Sequence, residues 1–157
     1  MKTKAIPDEY RSVTPYLIVH DAKAAIEYYQ KAFGAKELMR MAAPDGKIGH
    51  AEIQIQDARI MLADEYPDMG IRSARSLGGT PVHLLLYVEN VDEAFARAVR
   101  AGAKELRPLK DQFYGDRTGT LEDPFGHQWT LATHLEDVDP KEMDRRFEKM
   151  MKQGSQG

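Results

Sequence analysis

Five residues, Gly-Ala-Lys-Glu-Leu, occur twice in this chain, at 34–38 and again at 102–106. Each copy follows an apolar run and then a helical pattern. Tyr16-Leu17-Ile18-Val19 precedes the helix AKAAIEYYQKAF, and Leu84-Leu85-Leu86-Tyr87-Val88 precedes VDEAFARAVRA. A pentapeptide alone could recur by chance. A shared order of apolar strand, amphipathic helix, glycine stop and charged strand start marks an internal duplication. Alignment on Val19 and Val88 leaves the loop or helix of the second copy one residue shorter. Any fold for this chain must therefore be built from two like halves.

The first half reads as a strand over 12–19, with Val13, Pro15, Leu17 and Val19 on one face and Thr14, Tyr16 and Ile18 on the other. Pro15 marks the strand's start or an edge position. Asp21 is placed to cap a helix over 22–33 whose stripe is Ala25, Ile26, Tyr29 and Phe33, with Gly34 as its stop. A hairpin follows, 36–42 and 48–56 around Pro44-Asp45-Gly46. In its return strand Ala51, Ile53 and Ile55 alternate with His50, Glu52 and Gln54, the pattern of a sheet with one packed and one wetter face. A fourth strand covers 59–63, and the charged, Gly-Pro-bearing stretch 64–80 is the boundary between copies.

The second half repeats this plan. The strand 83–88 directs Leu84, Leu86 and Val88 to its helix and His83, Leu85 and Tyr87 away from it. A helix over 92–101, a strand over 104–108, a loop over 110–115, a strand over 117–122, the turn Asp123-Pro124-Phe125-Gly126 and a strand over 127–133 complete it. The expected class is α+β: two tandem βαβββ units. The repeats run about 12–66 and 81–134 within a single domain of 12–138. Residues 139–157 form a C-terminal helix, begun at Asp139-Pro140 with Met143, Phe147 and Met150 at helical spacing, and a flexible KQGSQG end. Residues 1–11 are a polar lead-in with Pro7, expected to be loosely held at its start.

Composition narrows the function. At 157 residues, 42% hydrophobic and 30% charged, the chain can bury one core. A net charge of −3 provides no basic field for nucleic acid. No apolar run is long enough to span a bilayer, and the N-terminus lacks the apolar core of a secretory signal. The absence of cysteine excludes disulfides, thiolate metal sites and cysteine nucleophiles. A cytoplasmic protein is the default expectation. No Ser-His-Asp order, phosphate-cradling glycine loop or zinc-binding helix motif is present.

The paired βαβββ pattern, the opening VTPYLIVHDAKAAIEYYQKAFGA and Gly115-Asp116-Arg117 followed by DPFGHQW resemble the vicinal oxygen chelate superfamily, which includes glyoxalase I, bleomycin resistance proteins and extradiol dioxygenases. GHAEI at 49–53 and ATHLEDV at 132–138 are similar to its PhnB-like subgroup. The resemblance spans about residues 12–134. It implies curved sheets enclosing a cavity, helices outside, and a homodimer that takes a small-molecule ligand.

Enzymes of that superfamily hold a divalent metal with one ligand from the first and one from the last strand of each unit. The matching positions here are Thr14, Met61 or Leu62, His83 and Thr130, so only one strong donor remains. An alternative set is His50, Glu52 and His83. An H-x-E pair in a strand projects both side chains to one face, and two imidazoles with a carboxylate can bind zinc, nickel, manganese or ferrous iron. The other reading of those residues is a hydrogen-bonded polar patch, so the cofactor is either none or such a divalent metal.

Tyr16 and Tyr87, three residues before Val19 and one before Val88, are candidate aromatic walls for a ligand or part-buried core tyrosines. Arg117 suits either an anionic substrate or a loop-fixing Arg–Asp pair. Trp129 alternates toward the helix side. Phe113 and Tyr114 are placed to cap a cavity mouth, and His20, His127 and His134 to be structural or exposed. The candidate ligand-binding residues are thus Thr14, Tyr16, His50, Glu52, His83, Tyr87, Arg117 and Thr130. Two functions are in view: a small-molecule-binding protein without the usual metal site, or a metal-dependent lyase, isomerase or dioxygenase acting on vicinal oxygens.

Overall fold

A computed structural model of the chain describes residues 2–154. The elements run β1 (Tyr16–Val19), α1 (Ala22–Phe33), β2 (Lys36–Ala42), β3 (Ile48–Ile55), β4 (Ala58–Asp64), α2 (Ala74–Leu77), β5 (His83–Tyr87), α3 (Val91–Ala101), β6 (Lys104–Asp111), β7 (Asp116–Glu122), β8 (Gln128–His134) and α4 (Pro140–Gly154). They build two four-stranded mixed sheets ordered β1-β4-β3-β2 and β5-β8-β7-β6. In each sheet the first strand pairs in parallel with the fourth and the remaining pairs are antiparallel. The duplication in the sequence is therefore a duplication of topology.

Helix α1 starts where Asp21, in extended conformation, accepts the Ala24 amide, and it ends at Gly34 in the left-handed region with φ 67°. A side chain with Cβ is disfavoured there, which is why the repeated pentapeptide begins with glycine. Both units also anchor their helix to the end of their fourth strand. The Ala22 amide donates to Asp64 Oδ1 at 2.8 Å, and the Val91 amide donates to Thr133 Oγ1 at 2.9 Å.

The alternation expected of the sheets holds. Leu17, Val19, Ala51, Ile53, Ile55 and Leu62 are buried against α1, while Leu84 and Leu86 pack with Trp129 and Leu131 on the α3 side. The two helices also pack on each other, joined by Tyr28 Oη donating to the Ala98 carbonyl and Arg97 Nε donating to that of Lys31. One buried cluster thus runs through both units. Its aromatic centre is Tyr29, Phe33, Phe125 and Trp129, with Phe33 and Trp129 ring centroids 4.7 Å apart.

Several boundaries differ from expectation. β1 begins at Tyr16 rather than at residue 12; Val13 is exposed, and Thr14 donates to the Arg11 carbonyl in a turn. α3 begins one residue earlier than expected because Asn90 caps it, accepting from the Glu93 amide and leaving Asp92 and Glu93 in the first turn. β6 runs through Pro108 to Asp111. It is an edge strand, where a missing N–H breaks no ladder bond, and the pairing shifts register between Arg107 and Lys110. The stretch between the units holds a short 3-10 turn, Pro67–Met69, and α2. α4, capped by Asp139, continues to Gly154 and so takes in the start of the KQGSQG end; residues 155–157 lie outside those described.

Candidate functional site

The same alternation that buries Ala51, Ile53 and Ile55 turns His50, Glu52 and Gln54 to the helix-free face of the first sheet. Pairing adds Met41 beside His50, and Met39 and Met61 beside Glu52. Tyr16 on β1 reaches across β4, and its hydroxyl lies 2.8 Å from His50 Nδ1. Burial raises the Tyr16 pKa, so the phenol stays protonated at neutral pH. The phenol and the imidazole share that hydrogen bond, and the other ring nitrogen, Nε2, lies 3.6 Å from Glu52 Oε2. Tyr16, His50 and Glu52 stand in a row across a face that also carries Gln54 and three methionines.

The end of the lead-in is held against the first sheet. The Tyr10 amide donates to the Pro7 carbonyl, and the Arg59 guanidinium lies 5.2 Å from the centroid of the Tyr10 ring. Residues from Ala5 to Thr14 line, with Glu52 and Met61, an open pocket of about 490 Å³.

The second sheet carries a different chain. Tyr87 Oη donates to Asp116 Oδ2 at 2.7 Å, and His134 places Nδ1 2.7 Å from Asp116 Oδ1 and Nε2 2.7 Å from Asp137 Oδ1. Asp116 is buried. Its hydrogen bond raises the Tyr87 pKa, and its contact, followed by that of Asp137, raises the pKa of His134, because both carboxylates favour the imidazolium. On the same face Thr130 Oγ1 meets Thr120 Oγ1 at 3.0 Å, and His83 stands exposed at the start of β5.

The predicted residues are thus partly assembled. Tyr16, His50 and Glu52 come together on the first sheet, with Thr14 on the pocket lined by Glu52, whereas His83, Tyr87 and Thr130 belong to the second. Among the described residues no three His, Cys, Asp or Glu side chains converge to hold a metal ion, so His50, Glu52 and His83 do not meet within one chain.

Arg117 is a correction. It lies on the helix-facing side of β7 and is committed to Asp92 and Asp111, which removes it from the ligand face; the partners are those carboxylates rather than adjacent Asp116. Phe113 packs edge-on against Tyr114 and also meets Phe147 of α4, so α4 occupies that loop. Asp116 and His134 escaped the sequence reading because they become neighbours only through the β7–β8 register. The alternation Asp116, Thr118, Thr120 was the available signal.

A family model described as Glyoxalase/Bleomycin resistance protein/Dioxygenase superfamily matches residues 11–131. An uncharacterised protein of Mycobacterium bovis is 46% identical over 135 residues, covering 84% of this chain and 89% of that protein. The crystal structure of TioX from Micromonospora sp. ML1 is 25% identical with a TM-score of 0.61, covering 82% of this chain and all of that one. A PhnB protein of Bacillus cereus, 19% identical with a TM-score of 0.63, covers 78% of this chain and 99% of its own, and shares the fold.

Proposed function

Because the chain belongs to the glyoxalase/bleomycin resistance protein/dioxygenase superfamily, we propose that it is a small-molecule-binding member of that family, working as a cytoplasmic homodimer without the family's usual metal site. The donor set carries this reading. The positions matching those that hold the metal in enzymes of the superfamily are Thr14, Met61 or the core residue Leu62, His83 and Thr130. Thr14 donates to the Arg11 carbonyl, Thr130 is engaged with Thr120, and Met61 offers a thioether. One imidazole with such partners is a poor site for a hard or borderline divalent ion.

The exposed faces support a dimer. Tyr16, Leu85 and Tyr87 are each about half exposed on the helix-free sides of the two sheets (47%, 52% and 52%), and Met39 and Met41 are exposed beside them. Apolar side chains in such number on a sheet face favour burial against a second copy. A ligand cavity closed between the two faces would draw on Tyr16, His50, Glu52, His83 and Tyr87 together.

The alternative, a metal-dependent lyase, isomerase or dioxygenase, is favoured by the adjacency of His50 and Glu52, and it requires His83 from another copy to complete the site. Elemental mass spectrometry on chelator-free protein, before and after loading with zinc, nickel, manganese or ferrous iron, separates the two readings. The binding protein retains no stoichiometric metal. Near-stoichiometric metal that disappears in His83→Ala would overturn the proposal and lead to lyase and dioxygenase assays.

A further inference from the structure

The segment before β1 lines a pocket against the first sheet. Ala5, Ile6, Pro7 and Tyr10 form one wall of the 490 Å³ pocket, and Met61 and Glu52 lie on the sheet beneath. The wall is held at two points. Thr14 closes a turn onto Arg11, and Tyr10 is pinned under Arg59 on β4.

Most of the lining is carbon, and the charge that the sheet contributes to it is the Glu52 carboxylate. That carboxylate is poorly satisfied. Its ion-pair contact among the described residues is His50 Nε2 at 3.6 Å, beyond hydrogen-bond distance, and the other nitrogen of that ring is taken by Tyr16. The Glu52 side chain keeps 15% of its surface exposed and lines the pocket, so a donor brought by a ligand can reach its oxygens there. Of the neighbouring cations, Arg59 is occupied by Tyr10, and Arg11, which also lines the pocket, is exposed to solvent. A carboxylate without a hydrogen-bond donor among the described residues, lining a mostly apolar pocket, is complementary to a molecule that brings its own positive charge and an apolar body.

We propose that this pocket binds an organic cation, with an ammonium or amidinium nitrogen on Glu52 and an apolar group against Ile6, Pro7 and Met61, and that the N-terminal segment is the element that selects the apolar part. The inference rests on the small-molecule-binding reading and narrows it to a ligand class. A positive nitrogen replaces the absent donors of Glu52, while an anion would meet the carboxylate itself.

The test uses the full-length, isotopically labelled protein and three probes of one shape: 4-phenylbutylammonium, 4-phenylbutanol and 4-phenylbutyrate. Each is followed by amide chemical shifts. The ammonium should perturb Thr14, Glu52 and Met61 and bind at least roughly tenfold more tightly than the alcohol, as expected for a charge-assisted hydrogen bond. The butyrate should bind most weakly. Glu52→Gln, nearly isosteric, should erase the difference between ammonium and alcohol, and Ile6→Ser should weaken both together.

Equal binding of ammonium and alcohol by the natural protein, a comparison that needs no variant, would overturn the cation assignment and leave the small-molecule reading standing. Shifts confined to residues of the second sheet would overturn this pocket alone. No shift anywhere with any probe would count against both.

Discussion

Asp123 is the residue whose replacement best tests how the two repeats are joined. Its carboxylate is buried at 3% exposure and accepts four hydrogen bonds. Oδ1 takes the amides of Phe125 and His127 at 2.9 and 3.0 Å, which sets the turn between β7 and β8. Oδ2 takes Tyr29 Oη at 2.6 Å from α1 of the other repeat and Trp129 Nε1 at 2.9 Å. In Asp123→Asn one oxygen becomes an NH₂ group. Whichever way the amide turns, two donors face a donor. The tyrosine hydroxyl can rotate to accept; the indole and backbone N–H groups cannot.

At least one buried N–H is then unpaired, at about 1–3 kcal/mol, and the charge assistance of the remaining bonds is lost. A loss of roughly 2–4 kcal/mol follows, a large part of the 5–15 kcal/mol that holds a typical domain. Tyr29→Phe, which leaves three of the four bonds, should lose about 1.5–3 kcal/mol. The double variant should lose less than the sum of the two, because both changes act on one bond. Urea unfolding followed by tryptophan fluorescence reads all three, since Trp129 is the chain's one tryptophan and sits in the network. An Asp123→Asn protein within about 0.5 kcal/mol of the natural one at unchanged m-value would refute the reasoning, because surface-like tolerance is incompatible with a buried four-bond acceptor.

Other outcomes follow from particular contacts. A Cβ at Gly119 would stand 2.7 Å from Phe95 Cε2 and 3.1 Å from Leu109 Cδ2, so Gly119→Ala should overpack the α3–β7 contact and lower stability by about 1–3 kcal/mol in the same urea assay. His134, bonded to Asp116 and Asp137, has a raised pKa in the folded protein. Its contribution is fully present below the unfolded histidine value of roughly 6.5 and is lost as pH rises through the raised folded value. The stability gap between the natural protein and His134→Gln, measured by unfolding from acid to mildly alkaline pH, should therefore shrink as pH increases; a gap that widens would exclude the assignment. Sedimentation should give a dimer for the natural chain and a monomer for Leu85→Glu, which places a charge on the half-exposed face of β5. A monomeric natural protein would remove the dimer from the proposed function.

Much of the fold was legible because it rests on short-range rules. The repeated pentapeptide, the period-two alternation of Ala51, Ile53 and Ile55 against His50, Glu52 and Gln54, and the Asp21 and Gly34 stops are local patterns, and local sterics enforce them. Errors fell where a neighbour decides. Pro108 reads as a strand end until the strand is known to lie at an edge. Arg117 reads as a partner for adjacent Asp116 until α3 brings Asp92 to it. The reading of His50 and Glu52 as one patch needed only strand parity, whereas the bond between Tyr16 and His50 needed the β1-β4-β3 order.

The sequence by itself determined that two βαβββ units would form, which faces of their strands would be apolar, and where the helices would stop, since each depends on residues within a few positions of one another. Only the tertiary structure decided that Asp123 of one repeat holds Tyr29 of the other, that His134 meets Asp116, and that residues from Ala5 to Thr14 line a pocket with Glu52. Those contacts join residues far apart in the chain, and the loop-closure entropy they overcome is repaid only by the complete packing of the fold.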